Sequence, residues 1–314
     1  MNKRQIGMWL YQNCGGNKIQ DKLVKKLKER EINTVTGIDL GKAIVSNGNI
    51  CCDTNGMCTC INSQIDLLFS YNASGSTPYQ DYLYQALNKI IPMINNYEAH
   101  TLTEDKFQTS FLLKNSGVQT ADYELCYKDD LKHIASTIQK WPQMVCKPTN
   151  GYGGAGLTKI DNSLSSDLVN HILKQNDLKN IYIEKYIDYD NTDYRIDIVD
   201  GKFVSCYGRR AQSGGWKTNI GSGGSIFCRE PNDEVVNIAL KAVKITGLEI
   251  AGVDIIYDRE KEEYIVLEVN GIPAFATPEQ EEIGIDFNNK KIDMIVNMID
   301  RLTAHKIIDS ALIA

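Results

Sequence analysis

Three oxygen-bearing side chains in the last quarter of the sequence have the types and spacing to hold a hard cation. In Tyr264-Ile265-Val266-Leu267-Glu268-Val269-Asn270 the odd-numbered positions are apolar. On a strand this leaves Glu268 and Asn270 together on the opposite face, about 6 to 7 Å apart. Asp254 is the sole polar side chain in a second apolar run, Ala251-Gly252-Val253-Asp254-Ile255-Ile256. One such residue would be read as a local cap or hydrogen-bonding group. Three oxygen donors converging from adjacent strands favour Mg2+, which keeps waters and phosphate oxygens as its remaining ligands.

A second group suits a polyphosphate. Lys147 precedes Pro148-Thr149-Asn150-Gly151-Tyr152-Gly153-Gly154-Ala155-Gly156, a loop with four glycines in six positions. Glycines let backbone N–H groups wrap phosphate oxygens, and a lysine at a strand end adds a point charge. The order is not that of a P-loop, which places the lysine after the glycines, nor a clean dinucleotide fingerprint. On these residues alone a flexible turn stays open beside the phosphate cradle. A third group is arginine-rich: Asp193-Tyr194-Arg195 and Gly208-Arg209-Arg210-Ala211 flank a hairpin and precede Trp216-Lys217-Thr218-Asn219. Arginines facing an acidic metal site can neutralise a transferring phosphoryl group or grip a carboxylate, and a surface salt bridge is an equally open reading of this group.

These residues need a scaffold that brings separate strand ends together. Ile6 to Tyr11 reads as a strand and Ile19 to Glu29 as an amphipathic helix. Another strand within Gln64 to Tyr71, a helix opening at Thr77-Pro78, and a return to the sheet at Ile91 to Ile94 complete a small α/β unit. Thr101-Leu102-Thr103-Glu104 has the form of a capping box before a helix ended by Gly117. Strands near Tyr123 to Tyr127, Gln143 to Lys147, Leu157 to Ile160 and Ile181 to Ile183 follow, with helices near Asp130 to Lys140 and after Asn162. Asp200-Gly201 marks a type I′ hairpin joining Tyr194–Val199 to Lys202–Arg210. A helix Asn237–Thr246, the two metal-bearing strands, and a helix from about Asn289 to Ala304 complete the pattern.

Composition narrows the partners. The 314 residues suffice for two or three compact units. A net charge of −6 without a basic cluster argues against nucleic acid as a partner. The apolar stretch after Arg4 is too short for a signal-peptide core or a membrane span, and no later run approaches a span. A cytoplasmic location away from the membrane, with the nine cysteines as reduced thiols, is therefore expected. Cys51, Cys52, Cys58 and Cys60 surround Asn55-Gly56, another type I′ signal; a hairpin is favoured over a zinc site because the spacing lacks paired C-x-x-C. The four histidines are scattered without metal-ligand spacing.

In order and spacing, Asp105-Lys106, Lys147 with Gly151 to Gly156, Glu184-Lys185-Tyr186-Ile187, Asp193-Tyr194-Arg195, Arg209-Arg210, Asn219, Asp254 and Glu268-Val269-Asn270 resemble the ATP-grasp superfamily. The most similar branch is the ribosomal-protein glutamate ligase-like (RimK-type) carboxylate–amine ligases, and the likeness covers about residues 1 to 305. It implies an α/β (α+β) ATP-grasp fold of three modules: residues 1–97 as an N-terminal α/β domain, 98–186 as a central subdomain with the glycine loop, and 187–308 as a C-terminal subdomain with the metal site. ATP would be clasped between the last two.

By that resemblance Lys106 and Lys147 contact the ATP phosphates, Gly151, Gly153, Gly154 and Gly156 close over them, and the backbone of Glu184, Lys185, Tyr186 and Ile187 reads adenine. Asp193 sits near the ribose, and Lys217 and Asn219 line the nucleotide site. Asp254, Glu268 and Asn270 bind one or two Mg2+, with Mn2+ able to stand in. Arg209 or Arg210, with Lys147, stabilises the transferring phosphate, while Arg195, Arg209 and Asn219 face the substrate.

The implied reaction joins a carboxylate, such as that of an amino acid, to an amine through an acyl phosphate. Glutamate would be linked to a small molecule, peptide or protein. Delivery of the acyl group to a carrier-protein thiol is the alternative within the ligase class, and a non-catalytic ATP-binding regulator is the alternative outside it. Two departures from the family pattern stand out: Ser222 stands where an arginine is usual, which removes a cation near the acceptor side, and Asn270-Gly271-Ile272-Pro273-Ala274 replaces the usual Asn-x-x-Pro-Gly ending. The acceptor site is expected to draw on Asn13 to Gly16 and Asn72 to Thr77, loops at strand ends. Self-association is left open.

Overall fold

In the computed structural model, which describes residues 4–10, 16–71, 77–151, 153–161, 163 and 180–312, the chain forms four sheets. Strands β1 (Gln5–Leu10), β2 (Asn33–Val35), β3 (Ile44–Ser46), β4 (Asn49–Thr54), β5 (Met57–Cys60), β6 (Leu67–Tyr71) and β7 (Met93–Ile94) make up two of them. The first is parallel, in the order β2-β1-β6-β7. Its strands are apolar on both faces because both are covered, one of them by helix Gly16–Glu29 and the C-terminal helix Asn288–Leu312. Ile292, Ile295 and Ile299 are fully buried in the same cluster as Ile6, Leu67 and Phe69, so the chain's last helix completes the core begun by its first strand.

The second sheet, β3-β4-β5, is an antiparallel meander. Asn55 and Gly56 both take positive φ, 58° and 83°, as a type I′ turn requires. The hairpin expected from the cysteine cluster is therefore present. The expectation that all cysteines stay reduced needs correction, because Cys51 and Cys60 face each other in register, with Cα atoms 4.1 Å apart, and are joined as a disulfide. Cys52 points to the buried face and Cys58 to the exposed one. No cluster of three or more His, Cys, Asp or Glu among the described residues could hold a metal ion.

The third sheet is antiparallel and contains β8 (Tyr123–Tyr127), β9 (Gln143–Lys147), β10 (Thr158–Asp161) and β11 (Asn180–Lys185), in the order β10-β9-β11-β8. Ahead of it the capping-box reading fails. Asn96, not Thr101, caps helix Tyr97–Glu104, and Asp105 caps a second helix, Lys106–Asn115. Each side chain accepts from the backbone N–H three residues on, and the break between the helices places Lys106 at a helix start. The helix expected after Asn162 lies outside the described residues.

The fourth sheet contains β12 (Thr192–Val199), β13 (Lys202–Arg210), β14 (Ser225–Phe227), β15 (Ile250–Asp258) and β16 (Glu263–Asn270), in the order β14-β13-β12-β15-β16. All its pairings are antiparallel. One face, with Ile196, Ile198, Val253, Ile255 and Val269, packs on helix Asp233–Thr246, which Gly247 ends in a left-handed conformation. The other face carries the polar alternates and forms one wall of a cleft. No described helix is long and apolar enough to cross a membrane.

Candidate active site

Strand alternation and register assemble a charged row on that open face. Arg209 lies opposite Asp193, Arg195 opposite Asp254, and Asp254 opposite Glu268. Directly opposed residues have Cβ atoms about 4.5 to 5.5 Å apart. Arg209 grips Asp193 with two donors, Nε to Oδ1 at 3.0 Å and Nη2 to Oδ2 at 2.7 Å. It also reaches Asp254 Oδ2 at 2.7 Å, while Arg195 Nη1 holds Asp254 Oδ1 at 2.7 Å. A Cβ on Gly252 would lie 2.6 Å from the Arg195 guanidinium, so glycine there lets the arginine lie flat along the strand.

Burial works against each of these charges, and their neighbours decide the outcome. For Asp254 the desolvation is outweighed by Arg209 and Arg195, which hold its carboxyl below the usual range. For Asp193 desolvation wins over Arg209 and the Thr218 hydroxyl, so its carboxyl is raised. Arg209 is itself held firmly charged, since Asp254 and Asp193 more than offset its burial.

Across the cleft stand the lysines and the glycine loop. Lys147, at the end of β9, pairs with Glu184 on β11 at 2.5 Å, and Tyr182 donates to the other oxygen of Glu184 at 2.8 Å. Lys106 meets the Gly151 carbonyl and lies 3.4 Å from Glu268, bridging the two walls. Gly154 has φ +76°, and a Cβ on it would come within 2.8 Å of Asn219 Oδ1. The loop therefore lies directly against Asn219, and Lys217 donates to the Gly154 carbonyl at 3.1 Å.

Three adjoining cavities share lining residues along the cleft. The first holds Lys106, Lys147, Gly153, Arg209, Asp254 and Glu268 together. A second opens from it beside Glu184 to Ile187 and is walled by Trp216, Ile256 and Leu267. Leu267 enters the cleft because of a register shift between Asp254 and Ile255, a bulge that re-aims one side chain. The third, of about 610 Å3, lies beyond Arg209 and includes Arg195, Asn219 and Asn270.

Most of the sequence-derived site residues, Asp193 included, thus meet in one place, and Arg210 does not. Arg210 follows Arg209 on a strand and so points the other way; it is exposed and stacks on Phe227 at 4.8 Å. Asp193, assigned by resemblance to the ribose, has its carboxylate engaged with Arg209 and Thr218 and serves to hold Arg209. Lys185 pairs with Glu260 at the rim while contributing to the apolar cavity. Of the acceptor loops, Asn13 to Gly15 and Asn72 to Ser76 lie outside the described residues, and Thr77 caps helix Pro78–Asn88.

Sequence reasoning missed Thr218, Leu267 and Asp197. The alternation Asp193, Arg195, Asp197 on β12 was the available signal for the last. Asp197 links Arg195, 3.7 Å away, to the fully buried Lys291, whose ammonium also donates to the carbonyls of Pro273 and Ala274.

The donor set suits Mg2+. Asp254 and Glu268 are register partners, Asn270 shares their face, and all offer oxygen to a hard cation. Two carboxylates and an amide are too few for a closed cage, which is the composition expected where nucleotide oxygens complete the shell. In the protein alone the two carboxylates are neutralised by Arg195, Arg209 and Lys106.

A glycine loop over strand-end lysines, a hinge strand beside an apolar slot and an oxygen-donor row on a facing antiparallel sheet define an ATP-grasp ligase, an enzyme class that uses ATP and Mg2+. Residues 103–295 match the RimK-like ATP-grasp domain, and the chain belongs to that family. It is 28% identical over 218 residues to the tetrahydromethanopterin:alpha-L-glutamate ligase of Methanocaldococcus jannaschii, covering 68% of this chain and 73% of that protein. To the coenzyme gamma-F420-2:alpha-L-glutamate ligase of Methanococcus maripaludis it is 28% identical over 276 residues, covering 82% and 91%. The ATP-grasp ligase PsnB complexed with a minimal precursor superposes with a TM-score of 0.68 at 15% identity, over 94% of this chain and 99% of that one. The D-alanine–D-alanine ligase of Bacillus anthracis does so with 0.65 at 17%, over 98% and 100%. These two show the shared fold. The protein is an ATP-dependent carboxylate–amine ligase.

Proposed function

We propose that the cleft activates a substrate carboxylate with ATP and passes the acyl group to an amine. The carrying observation is that Arg209, Asp254 and Glu268 face Lys106, Lys147 and the glycine loop across one cavity, with the apolar slot at one end and the large chamber at the other. Adenine fits the slot beside Glu184, Lys185, Tyr186 and Ile187. The phosphates lie between Lys106, Lys147 and the loop Gly151 to Gly156.

The carboxylate oxygen attacks the γ-phosphorus and the bond to the β-phosphate oxygen breaks, giving ADP and an acyl phosphate. The amine nitrogen then attacks the carbonyl carbon, phosphate leaves, and the nitrogen loses a proton to give the amide. Arg209, held in place by Asp193, neutralises charge on the transferring group; Lys147, oriented by Glu184, does so from the other wall. Asp254, Glu268 and Asn270 would hold Mg2+, or Mn2+ in its place, and the ion would supply charge neutralisation at the phosphate oxygens. Arg195 and Asn219 line the substrate side. Two of the named relatives are alpha-L-glutamate ligases, which makes an amino acid the natural class for one substrate and a small molecule, peptide or protein the class for the other. We also place the module limits at 1–97, 98–186 and 187–308, in keeping with the sheet boundaries.

The test is Glu268→Ala combined with Asp254→Asn, followed by substrate-dependent ADP release and by Mg2+-dependent ATP affinity in calorimetry. Loss of both responses is expected. Near-normal turnover would sink the metal assignment.

A further inference from the structure

We propose that the chamber beyond the phosphate site is built for a carboxylate substrate with a bulky apolar side chain, a branched aliphatic or an aromatic one. The inference rests on the ligase reading above and deepens it by naming the class of the activated substrate. Size is the first observation. At about 610 Å3 the chamber falls in the range of sites that enclose whole organic ligands, ~300–1,000 Å3.

Its walls are the second observation. Phe275 and Tyr207 are buried and line it, and Ile226 and Ile272 add aliphatic surface. At the mouth Ile220 and Ile283 are about half exposed, 49% and 50%, on separate segments facing the same space. Uncovered aliphatic residues on two sides of a cavity gain by being covered with apolar surface.

Charge is the third. Among the described lining residues the cations are Arg195 and Arg209, and the carboxylates are Asp254, Glu268 and Glu279. In the protein alone Arg195 pairs with Asp254, and Arg209 with Asp193 and Asp254. A carboxylate to be phosphorylated meets Arg209 where the chamber joins the phosphate cavity. A second carboxylate, such as a glutamate side chain, would lie among isoleucines beside Glu279, and the described lining residues offer it no further cation. An apolar side chain needs none.

The experiment compares N-acetyl-leucine, N-acetyl-phenylalanine and N-acetyl-glutamate in two arms. Calorimetry with a non-hydrolysable ATP analogue and Mg2+ gives each Kd, and ADP release with hydroxylamine as the amine gives each kcat/KM with the hydroxamate as product. The leucine and phenylalanine compounds are expected to bind at least tenfold more tightly than the glutamate compound, a difference within reach of an apolar pocket. Glutamate binding as tightly or more tightly, or none of the three binding, overturns the proposal. Apolar binding without ADP release from any compound upholds the chamber's preference and counts against the ligase reading instead, so the two failures are distinguishable. Ile283→Lys places a cation at an already exposed position and is expected to narrow the preference to threefold or less with ATP affinity unchanged. An unaltered preference in that variant also overturns it.

Discussion

Replacing Arg209 by methionine separates what this residue does for folding from what it does for chemistry. In the native protein its guanidinium spans two buried carboxylates, with contacts of 2.7 Å to each. Methionine fills much of the volume and removes the charge. Asp254 keeps Arg195, whereas Asp193 keeps only the Thr218 hydroxyl among the partners described above. Breaking a buried pair from one side costs about 3–5 kcal/mol, because the remaining ion is uncompensated. Burial already raises the Asp193 carboxyl, so the variant can take up a proton there and the loss falls at the lower end, about 3 kcal/mol. At roughly 2–4 °C per kcal/mol this lowers Tm by about 6–12 °C.

Adding Asp193→Asn to Arg209→Met removes the stranded charge and should restore at least half of the lost Tm. Turnover should respond differently. A cation facing a transferring phosphoryl group is worth on the order of 10³-fold in rate, and the asparagine returns none of it. The assays are calorimetric melting and substrate-dependent ADP release on wild type, single variant and double variant. A single variant with turnover within tenfold of wild type would refute the assignment of Arg209 to the phosphoryl group. A double variant no more stable than the single one would refute the charge argument.

Arg210→Ala is the matched control: the side chain is exposed on the other face, so ADP release within threefold of wild type is expected. Thiol labelling with iodoacetamide should modify the exposed Cys58 and Cys228 first and leave Cys146, whose thiol burial pushes up to about 12, unmodified in the folded protein; Cys51 and Cys60 should label only after reduction, as read by peptide mass spectrometry. Glu249 has its carboxyl raised by burial despite hydrogen bonds from its own backbone and from Asn96. A raised acid binds its proton more tightly in the folded state, so its contribution is full below the unfolded value and declines as pH rises through the folded one. Glu249→Gln should therefore gain Tm relative to wild type as pH rises above the ordinary carboxylate range, and parallel curves for the two proteins would contradict that sign.

The shared face of Glu268, Asn270 and Asp254 was legible in the sequence because strand alternation is local. Each of Glu268, Asn270 and Asp254 is polar against apolar neighbours, and the period of two assigns the face without knowledge of the fold. Turn chemistry was legible for the same reason, and Asp200-Gly201 takes positive φ at both positions like Asn55-Gly56. What stayed hidden depends on register between distant segments. Nothing local distinguishes Arg209 from Arg210 until the pairing opposite Asp193 selects one face. The bulge that aims Leu267 into the cleft needs β15 as its partner strand. The capping error had a different origin: Thr101 and Glu104 satisfy the box pattern, but Asn96 and Asp105 compete for the same role and win where the chain turns.

The longest-range feature hidden from the sequence is also the one that couples the two ends of the chain to the site. Lys291, on the last helix, is fully buried and bonds Asp197, which neighbours Arg195, which bonds Asp254, which bonds Arg209, which bonds Asp193. Charges alternate in sign along this chain, so each interior ion is compensated on both sides, while carbonyls at Lys291 and the Thr218 hydroxyl at Asp193 complete the ends. The same lysine donates to the Pro273 and Ala274 carbonyls, and Tyr71, from the first sheet, also donates to the Pro273 carbonyl. The segment that follows Asn270 and floors the large chamber is thereby tied to the parallel sheet, the last helix and the arginine row at once. A rigid floor is what a specificity pocket needs, since a substrate side chain is selected only by walls that do not yield to the wrong one.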